Sequence, residues 1–339
     1  MSKPKLLLIG YRAYGDWIFS MPAIHILLQN YDIHLEMNRK GYYLFHNDPR
    51  FRWKTVFEYE KYPQDNLLDI TLEHWEALEK FVQADRVINL WQTLEASCLI
   101  EMWQPEFQWT DEQRRAVQGK RNFIDSVFER CEIVPPSDFH RGEFYYSPQE
   151  TEVIRRWREK NANKFVILVP ACGSCFNKLY PYMPKLTTEL CDKYPDIKVY
   201  LTGDAGTKDF QWKHPSIVNT YNLPFKQTIL MSKYANFVMG GETGLLAAAG
   251  MHGTPKIQFT TSSSVYQICK YDKNDYSVQS DAKCSPCHLA VLNYDCCHGI
   301  VDEPVKHALC TDMFSYDHAF KTVEKVYKEW KDGTKNLQR

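Results

Sequence analysis

Two segments of the chain carry residue types that bind phosphate. The first runs from Val169 to Lys178 and reads VPACGSCFNK. Backbone N–H groups around Gly173 and Ser174 can surround a phosphate, and the Lys178 ammonium supplies a positive charge. The segment lacks the GxxxxGK[ST] order of nucleoside-triphosphatase loops. An ordinary strand-to-helix loop with an exposed lysine is the alternative interpretation.

The second segment, residues 240–245, reads GGETGL and also joins a predicted strand to a predicted helix. The free N–H groups of a helix start, here those near Thr243, Gly244 and Leu245, suit a pyrophosphate. The Glu242 carboxylate would repel phosphate, so we expect it to face hydroxyl groups such as those of a ribose. A helix start that binds no ligand is the alternative.

A third segment places Asp16 directly after the turn GYRAYG at residues 10–15. Its glycines allow the backbone to turn tightly and to approach a ligand closely. The Asp16 carboxylate either stabilises the start of the following helix or faces a ligand there. The turn lacks the GxGxxG spacing, and no acidic residue ends the second strand, so the pattern does not support a dinucleotide-binding motif.

Five of the eleven cysteines lie close together near the end of the chain, at Cys284, Cys287, Cys296, Cys297 and Cys310. A CxxC pair with two later cysteines supplies the four thiolates of a tetrahedral zinc or iron site. We therefore predict a structural metal held by Cys284, Cys287, Cys310 and one of the adjacent pair. Reduced thiols without a metal are the alternative, and no strand-then-helix pattern supports a thioredoxin-type redox motif.

Short apolar runs alternate with amphipathic stretches along most of the chain, which predicts strand–helix–strand units around parallel sheets. The predicted strands are Lys5–Ile9, Asp32–Met37, Thr55–Tyr59, Arg86–Leu90, Phe165–Val169, Lys198–Thr202, Phe237–Met239 and Lys256–Phe259. The predicted helices are Asp16–Asn30, Leu72–Val82, Glu150–Asn161, Lys185–Tyr194, Phe225–Lys233, Leu245–Met251 and Tyr316–Lys331, and two acidic helices with Trp and Phe are predicted between Leu90 and about Cys131. Residues 134–148, with three prolines and a glycine, are the predicted linker between two Rossmann-like halves. All three loop segments described above follow strands, where open α/β sheets bind their ligands.

The composition excludes several classes of protein. With 44% hydrophobic and 24% charged residues, the chain of 339 residues is globular and long enough for two domains. Its 41 Lys+Arg balance 42 Asp+Glu, which argues against nucleic-acid binding by bulk charge. The first apolar run stops at Gly10 and is too short for a signal peptide or a membrane span. We therefore expect a cytoplasmic protein with reduced thiols and no transmembrane segment.

Taken in order, four motifs resemble those of glycosyltransferase family 9, the heptosyltransferase-like enzymes of lipopolysaccharide assembly. The motifs are GDWIFSMPAI at 15–24, PACGS at 170–174 with Lys178 and Tyr180–Pro181, ETG at 242–244 followed by three alanines and Pro255, and the CSPC and CTDM segments at 284–287 and 310–313. The tail is similar to the cysteine-containing end of many members. A bacterial branch that glycosylates autotransporter proteins holds an iron with cysteines there.

The resemblance implies a GT-B fold, an α/β architecture of two facing Rossmann-like domains with a cleft between them. Residues 1–147 would form the acceptor domain. Residues 148–312 would form the nucleotide-sugar domain, including the Cys-rich loop 284–310. Residues 313–339 would add a last helix, a candidate to pack back on the first domain.

The resemblance further implies transfer of a sugar, heptose or a related one, from a nucleoside-diphosphate sugar with inversion and without a catalytic metal. An ADP-sugar is the favoured donor. Asp16 matches the proposed general base of the family. Lys178, the amides around Gly173 and Ser174, and the helix start at 243–245 would neutralise the leaving diphosphate.

The chain departs from the family at three positions: Glu242 replaces an aspartate, Tyr180 replaces a tryptophan, and the histidine expected near Ala247 is missing. These departures leave the identity of the donor open. The acceptor is also open, and a saccharide, a protein side chain or a hydroxylated base of phage DNA are all compatible with the motifs. A non-catalytic GT-B-like scaffold with a metal-clamped tail and a nucleotide-sugar epimerase are the remaining alternatives.

Overall fold

A computed structural model describes residues 2–58, 61, 67–94, 109–110, 112–113, 119–170, 176–203, 212–221, 223–287, 300–302 and 306–333. The chain divides into two compact units. The first unit comprises Met1–Ser97 and Phe123–Ser147, and the second comprises Cys98–Asn122 and Pro148–Arg339. Each unit is built around its own parallel sheet.

The first unit has a four-stranded sheet in the order β3-β2-β1-β4, with every neighbouring pair parallel. Its strands are β1 (Lys5–Gly10), β2 (Asp32–Met37), β3 (Trp53–Val56) and β4 (Arg86–Asn89). Its helices are α1 (Tyr14–Asn30), α2 (Arg39–Phe45), α3 (Leu67–Val82) and α4 (Phe123–Arg130). The run LLLI of β1 is buried throughout. A strand covered on both faces reads in this way, as a continuous apolar run without alternation.

The second unit has a six-stranded parallel sheet in the order β10-β9-β8-β5-β6-β7. Its strands are β5 (Phe165–Pro170), β6 (Ile197–Gly203), β7 (Ile217–Tyr221), β8 (Phe237–Gly241), β9 (Lys256–Thr260) and β10 (Val278–Gln279), and β11 (Ile300–Asp302) pairs with β12 (Lys306–Ala308) in a separate antiparallel ladder. Its helices are α5 (Pro148–Lys160), α6 (Met183–Lys193), α7 (Phe225–Tyr234), α8 (Gly244–His252), α9 (Val265–Cys269) and α10 (Tyr316–Lys331). Short 3₁₀ turns cover Phe176–Lys178 and Leu309–Thr311.

The last helix, α10, packs on the second unit. Val323 and Tyr327 lie in the apolar core that contains Phe165 of β5 and Leu190 of α6. The Tyr327 and Phe165 rings meet edge to face, 5.3 Å apart. The apolar face of α10 is therefore used within the second unit, and packing of the last helix on the first domain stays a prediction.

Residues 98–122 belong to the second unit. The domain boundary predicted from the sequence, at residue 147, places them in the first domain. The Asn122 side-chain amide donates hydrogen bonds to the carbonyls of Tyr266 and Gln267, at 2.9 and 2.8 Å. The Ser264 hydroxyl donates to the Gly119 carbonyl at 2.6 Å. These bonds fasten the end of the segment to the start of α9.

Most predicted elements are confirmed to within a few residues, and the differences fall on short ones. The strand predicted over Thr55–Tyr59 begins earlier, at Trp53, and ends at Val56, while Tyr59 lies outside the described residues. Helices α2 and α9, strand β7 and the three short strands from β10 onward were not predicted from the sequence. Among the helices of the described ranges, none is long and apolar enough to cross a membrane.

Candidate functional site

The strand order of the second unit defines a ligand position. β5 has β6 on one side and β8 on the other, so the chain changes direction across the sheet between β5 and β8. The loops that leave two such strands diverge, and open α/β sheets bind ligands in the crevice this creates. The loop after β5 leads to Lys178 and the loop after β8 contains Glu242 and Thr243. Two of the predicted segments therefore meet at this switch point.

Close packing joins the two loops. A Cβ added to Gly241 would lie 1.7 Å from the Lys178 carbonyl oxygen, and one added to Gly240 would lie 2.8 Å from the Pro170 ring. Only glycine leaves room for this approach of one backbone to another. The 3₁₀ turn that contains Lys178 has a second contact with the loop that follows β9, because the Thr261 hydroxyl donates to the Asn177 carbonyl at 2.5 Å.

The Glu242 carboxylate holds a third loop, residues 261–263, which follows β9. One carboxylate oxygen, Oε1, accepts the backbone N–H groups of Thr261, Ser262 and Ser263 at 2.8, 2.8 and 3.0 Å. The other, Oε2, accepts the hydroxyls of Ser262 and Ser263 at 2.8 and 2.9 Å. Glu242 is 7% exposed, and these five donors compensate the cost of burying its charge. The carboxylate therefore acts within the protein to shape the loop.

The loop at residues 261–263 was not predicted from the sequence. A signal for it exists, because five consecutive hydroxyl residues, 260–264, follow the apolar run of β9. A polar run at the carboxyl end of a parallel strand is a candidate ligand loop. The partner that organises the run, Glu242, is distant in sequence.

Helix α8 starts three residues after Gly241, which contacts the Lys178 backbone, and its start carries polar groups. Thr243 is the N-cap residue in an extended conformation, and its hydroxyl, buried, makes no hydrogen bond within the described residues. The Leu246 N–H donates to the Thr243 carbonyl at 3.1 Å, so the N–H groups at the start of α8 that can face a ligand are those of Gly244 and Leu245, which the Thr243 side chain does not cap. Leu245 contributes only its backbone, because its side chain is 2% exposed and lies in the core.

Lys178 ends the 3₁₀ turn and its side chain is half-buried. In the ranges that the structure describes, its ammonium forms no salt bridge. Gly173 and Ser174, the other predicted phosphate contacts, lie outside the described residues. The structure thus brings together Lys178 and the residues from 242 to 244, with the loop after β9.

Asp16 lies in the first turn of α1, at the carboxyl edge of the first sheet. Its Oδ2 accepts the backbone N–H of Ala13 at 3.1 Å, so it takes part in capping the helix. The glycine before this turn serves packing, since a Cβ on Gly10 would lie 2.4 Å from the Trp17 ring. Asp16 is half-buried and lies at the start of the helix that follows β1, where the sequence predicted it.

Of the tail cysteines that the structure describes, Cys284 and Cys310 lie in one small cluster. Cys284 packs against a small cluster formed by Ala282, Ala308 and Cys310, and Cys287 is buried. Cys296 and Cys297 lie outside the described residues. The Ser285 hydroxyl donates to the Thr261 carbonyl at 2.7 Å, which ties the CSPC segment to the loop held by Glu242. The six described cysteines are thiols and form no disulfide among themselves.

A different group brings three potential metal ligands within 4.8 Å of one another: Cys269, Asp272 and Asp275. The Lys256 ammonium occupies the space between these three side chains. Its Nζ lies 2.9 Å from Asp272, 3.7 Å from Asp275 and 3.3 Å from the Cys269 sulfur. These charges raise the pKa of the buried Lys256 ammonium against the opposing effect of burial. Burial raises the pKa of the Cys269 thiol to about 12, which favours the protonated thiol beside Lys256. We interpret this group as a buried ion-pair cluster.

Comparisons with known proteins identify the fold. No protein-family model matches the chain, and no curated protein matches it in sequence. Among solved structures, a glycosyl transferase family 9 protein from Veillonella parvula is similar with a TM-score of 0.70 and 11% identity, covering 97% of this chain and 98% of that one. The heptosyltransferase WaaC of E. coli with ADP is similar with a TM-score of 0.57 and 11% identity over 95% and 99% of the chains.

A third similar structure is the iron-containing dodecameric glycosyltransferase TibC of enterotoxigenic E. coli, with a TM-score of 0.57 and 11% identity over 97% of this chain and 77% of that one. At this level of identity the likeness concerns the fold. Together with the two parallel sheets, it confirms the expected class, an α/β protein of the GT-B type with two Rossmann-like domains.

Proposed function

We propose that the protein is a glycosyltransferase that uses a nucleoside-diphosphate sugar. One observation carries the proposal: the Lys178 turn rests directly on Gly241, so a lysine and the start of α8 converge at the switch point of the second sheet. A diphosphate leaving group gains negative charge during transfer, and such positioned donors stabilise that charge. The likeness of the whole chain to glycosyltransferases of the GT-B fold supports the same function.

The proposed diphosphate site consists of the Lys178 ammonium, the first-turn N–H groups of α8 and the Thr243 hydroxyl. Gly173 and Ser174 are proposed to add backbone donors from the preceding loop. Glu242 is proposed to act indirectly, since five donors already occupy its carboxylate. The loop at residues 261–263, rather than Glu242 itself, is then the part of this site that contacts the nucleoside.

We propose an ADP-sugar as the donor, a heptose or a related sugar. Support comes from the structures of two proteins of similar fold, WaaC with ADP and TibC in complex with ADP-D-beta-D-heptose. The acceptor is a hydroxyl of a saccharide, a protein or a modified nucleic acid.

The proposed mechanism is an inverting displacement without a catalytic metal. The acceptor oxygen forms a bond to the anomeric carbon while the bond from that carbon to the diphosphate oxygen breaks. Asp16, in the first turn of α1, is proposed to accept the proton of the acceptor hydroxyl as general base. The negative charge that leaves with the diphosphate is neutralised by Lys178 and by the N–H groups of α8.

We propose a structural zinc or iron at the tail, held by Cys284, Cys287, Cys310 and one of Cys296 or Cys297. The packing of Cys284 next to Cys310 supports it, as does the iron-containing TibC structure. Metal analysis of protein purified without chelator should find about one ion per chain, reduced by Cys284→Ser and unchanged by Asp275→Asn. The second variant is the control, because Asp275 belongs to the cluster already filled by Lys256.

The donor site is tested by thermal unfolding with a panel of nucleoside diphosphates. A ligand at 100 times its Kd stabilises the folded protein by about 2.7 kcal/mol. We expect ADP to raise the Tm, and we expect Lys178→Ala to weaken ADP binding about tenfold or more. The control, Lys185→Ala, removes the same charge from a side chain that is 62% exposed. If no nucleoside diphosphate raises the Tm, the chain is a GT-B-like scaffold without this activity.

A further inference from the structure

A buried carboxylate lies at the carboxyl edge of the first sheet, outside the site described above. Glu36 of β2 is 0% exposed. Its Oε1 accepts from His74 Nε2 at 2.9 Å and from the Tyr11 hydroxyl at 3.3 Å, and its Oε2 accepts from the Thr55 hydroxyl. Burial and the charge of Glu36 raise the pKa of Tyr11, so this phenol keeps its proton. A buried charge is retained only with such partners.

The bond to Glu36 sets the orientation of the His74 imidazole. Because Nε2 donates to the carboxylate, the lone pair of the neutral ring is on Nδ1. The His74 side chain is 34% exposed, and Nδ1 makes no hydrogen bond to any residue in the described ranges. The ring also stacks flat on Phe57, with centroids 4.3 Å apart and an interplanar angle of 10°. His74 therefore presents a fixed hydrogen-bond acceptor at the surface.

A cluster of aromatic rings adjoins this dyad through Phe57, which stacks on His74, and through Tyr11, which donates to Glu36. Tyr11 and Phe57 directly follow β1 and β3, and Trp91 lies two residues beyond β4. The Tyr11 ring lies 5.5 Å from Phe57, 6.2 Å from Trp75 and 5.9 Å from Trp91, and the two tryptophans are 5.8 Å apart. Both tryptophans remain half-buried. Three strands thus end in aromatic side chains at the edge where parallel sheets bind ligands.

We propose that His74, held by Glu36, and the half-buried rings of Trp75 and Trp91, which pack on the buried rings of Tyr11 and Phe57, form a subsite for a neutral, hydroxyl-bearing ring, namely a pyranose. The half-buried rings offer apolar area, and a single positioned polar group fixes orientation, as is usual in small-molecule sites. His74 Nδ1 accepts a hydrogen bond from a sugar hydroxyl. The buried Glu36 charge disfavours an acidic ligand at the same place.

The subsite rests on the proposed function in one respect: it would hold a sugar ring of the acceptor. Binding by the first unit is separate from donor binding by the second. His74 is therefore a binding and specificity-determining residue here, and Asp16 keeps the role proposed above.

Ligand-observed NMR with methyl α-glucopyranoside, methyl α-galactopyranoside, methyl α-mannopyranoside and glucuronate tests the subsite. We expect at least one methyl pyranoside to bind more tightly than glucuronate. We expect His74→Phe, which keeps a ring stacked on Phe57 but removes Nδ1, to weaken that binding about threefold to tenfold. The control, Glu73→Gln, changes an exposed neighbour on the same helix and should bind like the wild type.

A second measurement does not depend on the folding of a variant. Nitrogen-15 NMR of the wild-type histidines should show His74 with its proton on Nε2. A proton on Nδ1, unchanged pyranoside binding in a folded His74→Phe variant, or stronger binding of glucuronate would each overturn the subsite. Loss of the ADP response with pyranoside binding retained would overturn the proposed donor use and leave the subsite standing.

Discussion

Lys178 and Gly241 are in direct backbone contact, and a Cβ on Gly241 would lie only 1.7 Å from the Lys178 carbonyl oxygen. The contact joins the loop after β5 to the loop after β8. It brings the Lys178 backbone against Gly241, two residues before the N-cap residue Thr243, although the two loops are far apart in sequence. The convergence of positive groups in the second unit therefore depends on the absence of a side chain at one position.

Gly241→Ala should disrupt this convergence. The added Cβ cannot fit against a backbone carbonyl, so the Lys178 turn must move, and overpacking of this kind costs about 1–3 kcal/mol or more. We expect a lower Tm and at least a tenfold loss of ADP affinity, measured by calorimetry. Gly333→Asn is the control, because Gly333 has φ +66 and nothing within 4 Å, and asparagine tolerates that backbone region. An alanine variant that binds ADP like the wild type would contradict the assigned contact.

Glu242→Ala should destabilise the protein strongly. The substitution leaves three backbone N–H groups and two hydroxyls of the loop at 261–263 without their acceptor. Buried donors that lose their acceptor lower the free energy of unfolding, here by about 3–5 kcal/mol in total, which urea unfolding can measure. Glu129→Ala, an exposed change on α4, should have little effect.

Glu242→Gln separates the two roles considered for this residue. If Glu242 shapes the loop, as its contacts indicate, the amide should lower stability more than it lowers ADP affinity. A stable glutamine variant with weak ADP binding would instead indicate direct contact with the ribose.

The sequence predicted the local features of the site and missed the features that depend on distant partners. Strand ends could be located because apolar runs stop there, which placed Lys178, Glu242 and Asp16 at sheet edges. The sequence predicted that Glu242 faces ligand hydroxyls, whereas its carboxylate accepts from the loop at 261–263. These donors lie 19–21 residues away, so no local pattern connects them to Glu242.

The dyad of Glu36 and His74 shows the same limit. Its members are 38 residues apart and lie on a strand and a helix, so no spacing rule connects them. Helix α2 was missed for another reason: it has seven residues, and its N-cap, Asn38, is the main local signal. The direction in which α10 packs also depends on the core of the second unit and not on its own pattern.

Asp16→Asn should separate capping from catalysis. The asparagine oxygen can still accept the Ala13 N–H, so we expect the stability to change by less than about 1 kcal/mol. A general base contributes about 10²- to 10⁴-fold to turnover, so we expect sugar transfer, or hydrolysis of the donor in its absence, to fall by that factor while ADP affinity is unchanged. Asp317→Asn is the matched control, an acidic residue in the first turn of α10. Full activity of Asp16→Asn would exclude the proposed base.

Glu324 should make the attachment of α10 sensitive to acid. Its carboxylate accepts from Lys193 of α6 at 2.7 Å and from the Tyr194 hydroxyl, and it pairs with Lys328 at 3.1 Å. The hydrogen bonds from Lys193, Tyr194 and Lys328 lower the pKa of Glu324 from the usual value of 4.5 to about 2. Because the folded-state pKa is lowered, this stabilisation is complete above pH 4.5 and is lost as the pH falls toward 2.

Glu324→Gln should therefore lower the free energy of unfolding at neutral pH and flatten its decline below pH 4.5. Lys193→Met, which removes the first of the three donors, should flatten the decline in part. Urea unfolding at a series of pH values, followed by circular dichroism, measures both effects. A decline as steep in Glu324→Gln as in the wild type would show that other carboxylates carry the acid sensitivity.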